Sequence, residues 1–510
     1  MTARSDDAGS RTIWIDVEDL FDYARVNPRP SGIQRVEFEV CRCLVGAVGE
    51  GKVRFLRHAE GGMGFRPVPW VSVEALFAGL STPMPATPEE AAEAPSPAPG
   101  TLTPAVPDAI LPPPRPPRLR RRMLSWAARR VPGHIRPALG DAVLQQIGAI
   151  QSALHAGRIA WESVFPRRRV TAPAAPAPAP LAEAPPAPAP EPRPPATETF
   201  APRPGDMLLV LGSPWFHREY GALIARTKKA TGLRFGVLLY DIIPLRRPEF
   251  CDAGLVGIFN HWLSTVLPHA DVLMAISEAS AADIHAYGQE KGWNLKARPV
   301  AIPMGTGFGS PAPATRLPGR RYPEPGTYAL IVSTIEARKN HILLFRVWRR
   351  MLEEMPREKV PTLVFAGRVG WMVSDLMQQL KNAHYLGGKL VLFQDPTDGE
   401  LTTLYQGAQF TLFPSFYEGW GLPVTESLAF GKPPIISNTT SLPEAGGPLA
   451  RYFDPENTTE AYQVVREVVE DPEGLRAWQD RVAREFRPVT WDAAAEAVLR
   501  AIEEPVPGRA

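Results

Sequence analysis

The sequence predicts an α/β chain built from two doubly wound domains that face a cleft. Three observations carry that prediction. Short apolar runs recur along the chain, each closed by a polar or glycine-bearing loop and followed by a helical pattern, as expected of a parallel sheet covered on both faces. These runs fall into two series separated by the proline-rich stretch from Ser310 to Gly326, which reads as a hinge. One stretch of the second series, Phe410 to Gly431, joins a strand, a glycine turn and a helix, the local geometry that presents free N–H groups to an anion.

At 510 residues the chain can hold two or three domains with full cores. A net charge of +2 makes no case for nucleic acid. Cys41, Cys43 and Cys251 show neither zinc-ligand spacing nor a disulfide framework, which fits a reducing compartment. Residues 1–11 are polar, lack the apolar centre of a signal peptide and are expected to be disordered. No stretch reaches the roughly 18 apolar residues of a membrane helix. A cytoplasmic protein is therefore expected, with a peripheral place on the inner face of the cell membrane open to it.

In the first series, Thr12 to Val17 alternates like a strand, and Ile33 to Leu44 carries the apolar spacing of a helix at Val36, Val40 and Leu44. Between them Ser31 and Gly32 read as a tight turn at the carboxyl end of the strand, where doubly wound folds bind ligands. Met207 to Gly212, Phe235 to Tyr240, Val272 to Ile276 and Pro299 to Pro303 are the remaining strands of that series. Their loops carry His217, Asp241 and Ser277-Glu278-Ala-Ser280.

Half of the 58 prolines lie between Ser81 and Gly205. The tracts Thr82 to Pro117 and Thr171 to Pro204 are Ala/Pro-rich, too poor in large apolar residues to fold, and are expected to be extended linkers. The piece between them differs. Leu119, Met123 and Trp126 share a helical face, Leu144, Ile147, Ile150 and Leu154 mark a second amphipathic helix, and from 115 to 169 twelve arginines face only Asp141 and Glu162. Basic amphipathic helices with tryptophan suit an anionic membrane surface; a solvated helical hairpin is the alternative. No recognition module for nucleic acid accompanies the charge.

In the second series Tyr328 to Ser333, Thr362 to Ala366, Lys389 to Phe393, Phe410 to Phe413 and Pro434 to Ser437 are the expected strands. The first leads into Glu336-Ala-Arg338-Lys339-Asn340-His341 and the second into Gly367-Arg368. After Phe413 come Glu418-Gly419-Trp-Gly421-Leu422-Pro-Val424-Thr425-Glu426. Gly419 and Gly421 permit backbone conformations closed to other residues. Pro423 suits the start of a helix that Gly431 ends. The N–H groups of Gly421, Leu422, Val424 and Thr425 then favour a phosphate, while Glu418 and Glu426 beside them accept hydrogen bonds from hydroxyls. A phosphate ringed by hydroxyls is a sugar nucleotide.

With these residues assembled, the chain resembles the family 4 retaining glycosyltransferases of the GT-B fold over residues 12–81 and 205–505. The Glu418-x7-Glu426 pattern within its glycine turn is the most specific part. Glu336-Ala-Arg338-Lys339-Asn340, Tyr240-Asp241-Ile-Ile-Pro-Leu, Ser277-Glu278-Ala-Ser280 and Ser31-Gly32-Ile-Gln-Arg35 support it. The resemblance implies two Rossmann-like domains: an N-terminal one from 12–81 and 205–309, interrupted by the insertion 82–204, and a nucleotide-sugar domain at 327–490. The hinge spans 310–326, and a terminal helix and tail follow at 491–510.

By the same resemblance Arg338 and Lys339 neutralise the donor diphosphate, and Glu418 contacts the transferred sugar with the N–H groups of Gly419 to Leu422. Glu426 holds the ribose hydroxyls. Arg368 stands on the nucleotide side, and Gly32 lets the N-terminal loop approach donor or acceptor. Tyr240, Asp241 and His217 are candidates for the acceptor or sugar side. Many relatives carry histidine where this chain has Tyr240, so that contact to the donor sugar is absent here.

The activity this implies is transfer of a hexose, with mannose favoured, from a nucleotide-diphosphate sugar to a glycan or lipid-linked acceptor in cell-envelope polysaccharide assembly. Retention of configuration and independence from metal are expected; Asp16, Asp19 and Asp22 read as exposed carboxylates rather than a metal cluster. Two other readings compete. The carboxylate pair could serve a glycoside hydrolase, which has no use for a phosphate site. A non-catalytic scaffold of the same fold has no use for intact Glu418, Glu426, Arg338 and Lys339.

Overall fold

The computed structural model describes residues 11–27, 29–81, 199–293, 295–307 and 313–503. The expectations for residues 1–10, for the Pro/Ala-rich tracts and for the basic helices of 115–169 concern residues outside that set. So does the tail after 503.

Among the described residues the chain forms two sheets, the doubly wound pair that the sequence predicts. The first has seven strands: β1 (Ile13–Asp16), β2 (Val53–His58), β3 (Phe65–Val68), β4 (Met207–Val210), β5 (Arg234–Leu239), β6 (Val272–Ala275) and β7 (Val300–Ala301). Their order across the sheet is β3-β2-β1-β4-β5-β6-β7, with only β3 antiparallel to its neighbour. The second has six: β8 (Tyr328–Val332), β9 (Thr362–Ala366), β10 (Leu390–Phe393), β11 (Phe410–Phe413), β12 (Pro434–Ser437) and β13 (Arg451–Phe453). Their order is β10-β9-β8-β11-β12-β13, all parallel.

These orders fix where ligands go. The chain winds outward from β1 to one edge and then returns to start β4 beside β1. It does the same from β8, returning at β11. The loops leaving β1 and β4 therefore diverge around a crevice, as do those leaving β8 and β11, the topological switch points where open α/β sheets bind.

The central strands β1, β4, β6, β11 and β12 are buried at every position, which explains why they were legible as short, mostly apolar segments. β2, β3, β13 and the Trp70–Ser81 helix were not predicted. β2 alternates arginines with apolar residues and lies next to the sheet edge, where one-sided exposure dilutes the signal.

Gly32 is a correction. It is the first residue of the Gly32–Val48 helix, after an extended Ser31, rather than the middle of a tight turn. The Trp491–Glu503 helix packs into the first domain: Trp491, Ala494, Val498 and Ile502 are buried in its core with Val36, Val40 and Leu44. A Cβ on Gly305 would come within 2.2 Å of the Trp491 ring. Trp491→Ala should therefore empty a core site and cost about 3–5 kcal/mol, read as a lower urea midpoint for the first domain. An unchanged midpoint would contradict this packing.

Candidate active site

The second switch point brings the predicted charges together. After β8 the chain makes one short turn, Ala337–Lys339, and Asn340 adopts a left-handed conformation (φ 55°) before the His341–Glu354 helix. The Asn340 amide anchors that bend by donating to the buried Pro455 carbonyl (3.1 Å). Arg338 and Lys339 are thereby aimed at the loop leaving β11. Lys339 Nζ donates to Glu418 Oε1 at 2.6 Å, and Arg338 Nη1 lies 2.9 Å from the same oxygen. Arg338 Nη2 also donates to Glu336 (2.6 Å), and its Nη1 to the Tyr417 carbonyl (2.5 Å).

The carboxylates are buried, Glu336 being 2% and Glu418 7% exposed, while Arg338 and Lys339 are half-buried. Burial alone would raise the Glu418 pKa, but the Arg338 and Lys339 charges outweigh it and hold the carboxyl at about 2. Lys339 is lowered, by burial and by Arg338. Arg338 and Lys339 thus face two carboxylates, Glu336 and Glu418, which hold the two cations in fixed positions as preorganised donors for an anion.

The glycine turn does what its residues require. Gly421 has φ 111°, and a Cβ on it would come within 2.7 Å of Leu442. Gly419 is pressed against the first domain, where a Cβ would approach the Tyr240 carbonyl oxygen to 2.3 Å. The Leu422–Ala429 helix then starts, with Pro423 in its first turn. One expectation fails here: the Val424 N–H is already spent on the Gly421 carbonyl (2.9 Å). Thr425 turns its hydroxyl to the Leu422 carbonyl (3.0 Å).

Glu426 is 6% exposed and accepts from the Tyr405 hydroxyl at 2.9 Å. Burial raises its pKa, and the Arg35 charge opposes that rise. The two glutamates are thus separated in environment as well as position.

The first domain supplies the opposite wall. Arg35, near the start of the Gly32–Val48 helix, grips Asp398 of the second domain through both carboxylate oxygens (3.0 and 3.1 Å). Ser280 Oγ lies 3.2 Å from the carbonyls of both Tyr240 and Gly419. Glu444 accepts the backbone N–H groups of Glu278 and Ala279 (2.9 and 2.8 Å). Gly32 faces Leu422 at ordinary contact distance. Arg368 is exposed and donates across the cleft to Asn27 (3.2 Å).

Asp241 is half-buried near Arg338, Glu418 and Lys339; desolvation raises its pKa, and it accepts the Ile243 N–H (2.9 Å). Tyr240 departs from expectation: its hydroxyl turns back into its own domain, donating to the carbonyls of Leu211 (2.7 Å) and Ile33 (3.2 Å). It supports the wall with its backbone and presents no side chain to a sugar. His217 belongs to the β1–β4 crevice, apart from Glu418. Asp16 is another correction, being 2% exposed and bonded to Tyr220 (2.6 Å) and His58 (2.9 Å). Arg35, Asp398, Tyr405, Ser280 and Glu444 were given no role from sequence; Arg35, beside Ser31-Gly32, and Ser280, in Ser277-Glu278-Ala-Ser280, carried a signal.

His341, directly after this loop, fixes a pH dependence. Burial, helped by the Lys339 charge, lowers its pKa from 6.5 to about 3. The folded state keeps it neutral while the unfolded chain protonates it, so its stabilisation is complete above pH 6.5 and is lost as pH falls towards 3. Asp19, raised by burial to about 6, acts in the opposite sense, losing stabilisation as pH rises through that value. His341→Gln should isolate the histidine term by flattening the fall of the urea midpoint between pH 6.5 and 5, worth about 1.4 kcal/mol per pH unit. A parallel pH profile for the two proteins would refute it.

Residues 319–485, which contain this loop pair, match the family described as "Glycosyl transferases group 1". Curated relatives also match parts of the chain. The "Serotype-specific mannosyltransferase WbdA" of Escherichia coli is 29% identical over 282 residues, 53% of this chain and 34% of its own length. The "O-antigen chain mannosyltransferase B" of Escherichia coli is 37% identical over 128 residues, 25% of this chain and 33% of its own. The chain thus spans about a third of the length of these relatives. Among solved structures, an α,α-trehalose-phosphate synthase (UDP-forming) from Burkholderia vietnamiensis covers 59% of this chain and 74% of its own at 12% identity, with a TM-score of 0.44. No helix among the described residues is long and apolar enough to cross a membrane.

Proposed function

We propose that this protein is a retaining glycosyltransferase of family 4 type that moves a hexose, mannose by preference, from a nucleotide-diphosphate sugar to a glycan or glycolipid in cell-envelope polysaccharide synthesis. The observation that carries this reading is the convergence of Arg338 and Lys339 on Glu418 at the second switch point, beside the glycine-led start of the Leu422–Ala429 helix. The group 1 match over that region and the two mannosyltransferase relatives support it.

In this mechanism the bond from the anomeric carbon to the diphosphate oxygen breaks, and the acceptor oxygen bonds to that carbon on the same face. The acceptor proton passes to the departing phosphate. Arg338 and Lys339 take up the charge that develops on the leaving group, which is where preorganised donors lower a barrier most. Glu418, held ionised, stands beside the sugar, and Glu426 with Tyr405 beneath it receives the ribose hydroxyls. Because two side-chain cations neutralise the diphosphate, turnover without a metal is part of the proposal.

Thermal-shift screening with UDP, GDP, dTDP and their hexose conjugates tests the reading. One nucleotide class should raise the melting temperature in a concentration-dependent manner, and the response should vanish in Lys339→Ala. No response to any of them would overturn a nucleotide-sugar site.

A further inference from the structure

We infer that the start of the Glu278–Glu290 helix sets the Glu418 loop for turnover, with Asp283, oriented by Arg246, as the positioning residue that holds the Tyr417 hydroxyl. This rests on the transferase reading above and names a first-domain group that fixes the geometry of its site.

Tyr417 is held at both of its ends. Its carbonyl accepts from Arg338 Nη1 (2.5 Å), and Arg338 lies 2.9 Å from Glu418 Oε1. Its hydroxyl donates to Asp283 of the first domain. Burial and the Asp283 charge raise the Tyr417 pKa, so the hydroxyl stays a donor. The residue next to Glu418 is thereby fixed at its backbone by the cation site and at its side chain by the opposite domain.

Asp283 is placed to receive that hydroxyl. The helix starts after Ser277, whose hydroxyl accepts the Ser280 N–H (2.9 Å), and three residues later Asp283 shares the face of Ser280. Ser280 Oγ itself reaches the Gly419 carbonyl (3.2 Å). Arg246 Nε donates to Asp283 Oδ1 (2.6 Å) while its Nη1 is held by Glu290 (2.7 Å), and Tyr417 takes Oδ2. Around Asp283 the helix carries Ala279, Ala282 and Ala286, which with the Tyr417–Glu418 loop line a cavity of about 360 Å³. The short side chains leave that space open, so a hydrogen bond rather than packing ties the helix to the loop.

The other ties of the loop come from its own domain. The Glu418 N–H donates to Thr440 Oγ1 (3.0 Å), and Ser441 Oγ donates to the Glu418 and Trp420 carbonyls (3.0 and 2.9 Å). These persist wherever the first domain stands, whereas the Asp283 and Ser280 bonds require the two domains to meet. Nucleotide capture by the second domain therefore needs the first set alone. The second set adds the order that the reaction requires, since a misplacement of about 1 Å at the reacting atoms costs about a hundredfold in rate.

Nucleotide release from the donor that the thermal-shift screen selects, followed on the full chain, tests this. Tyr417→Phe leaves no donor unpaired, and the Asp283 side chain is 20% exposed and open to water, so the melting curve should not move. The same variant should lower kcat about tenfold with the nucleotide dissociation constant unchanged. Asp283→Ala should match it, and Asp283→Asn, which keeps an acceptor oxygen, should recover most of the rate. Tyr417→Phe combined with Asp283→Ala should be no slower than either alone. Hydrogen exchange of the 416–421 amides reads the same contact without turnover, decides the matter where release is too slow to follow, and should quicken about tenfold in both single variants. The inference is overturned if kcat is unchanged, if the loss lies in nucleotide affinity, if the two effects multiply, or if loop exchange is unaltered. Absence of any response to UDP, GDP or dTDP in the unmodified protein would instead overturn the transferase reading beneath it.

Discussion

Lys339→Ala is expected to reduce transfer by about a hundred- to a thousandfold, the loss typical of removing one preorganised donor from a developing negative charge, while leaving the protein folded. The fold survives because Glu418 keeps Arg338 at 2.9 Å when Lys339 Nζ is gone. Arg338→Ala should behave differently. Arg338 alone bridges Glu336 and Glu418, both buried. Its removal leaves two buried carboxylates with one ammonium between them, and breaking buried pairs in that way costs about 3–5 kcal/mol. Initial rates with purified donor and a melting curve on each variant separate the two outcomes. Lys339→Ala with a full transfer rate would remove this lysine from the chemistry. Arg338→Ala with an unchanged melting curve would refute the buried-network account.

Glu426→Ala should weaken nucleotide binding by about ten- to a hundredfold with a smaller effect on turnover at saturation, since hydrogen bonds to a charged acceptor are worth about 1.5–3 kcal/mol. The truncation also strands the Tyr405 hydroxyl, whose partner at 2.9 Å is Glu426. Tyr405→Phe is the informative companion: it keeps the carboxylate but loosens its aim, and should cost less. The Tyr405 ring is held independently by stacking on Phe430 at 5.1 Å, so the substitution leaves the packing in place. Equal dissociation constants for the unmodified protein and Glu426→Ala would move the ribose site elsewhere.

Both predictions concern residues that local pattern made visible. Glu418 and Glu426 sit in a strand, a glycine turn and a helix start, three features that lie within one stretch and depend on neighbours in sequence. Arg338 and Lys339 follow a strand directly. The residues that were missed share the opposite property. Arg35 is meaningful because of Asp398, 363 positions away, and Ser280 because of Gly419, 139 positions away. The Gly32–Val48 helix shows the limit most clearly. Its apolar spacing predicts one buried face, yet Gln34, Arg35, Glu37 and Glu39 are buried as well. The second domain meets its start through Arg35 and Leu422, and the Trp491–Glu503 helix packs along it.

Tyr240 marks the same boundary from the other side. Position in the motif placed it at the sugar, but a hydroxyl inside a dry wall must find acceptors, and the nearest are the Leu211 and Ile33 carbonyls.

By itself the sequence determined the fold class, the inner strands of both sheets and the charged groups of the second switch point, because apolar period, glycine placement and residue charge are local properties. Only the tertiary structure decided which cation meets which carboxylate, that the last helix completes the first domain, that Asp16 is buried against Tyr220 and His58, and that Asp19 lines a second crevice. Those outcomes depend on long-range packing and on burial, which turns a surface carboxylate into a group whose partners and protonation the fold must settle.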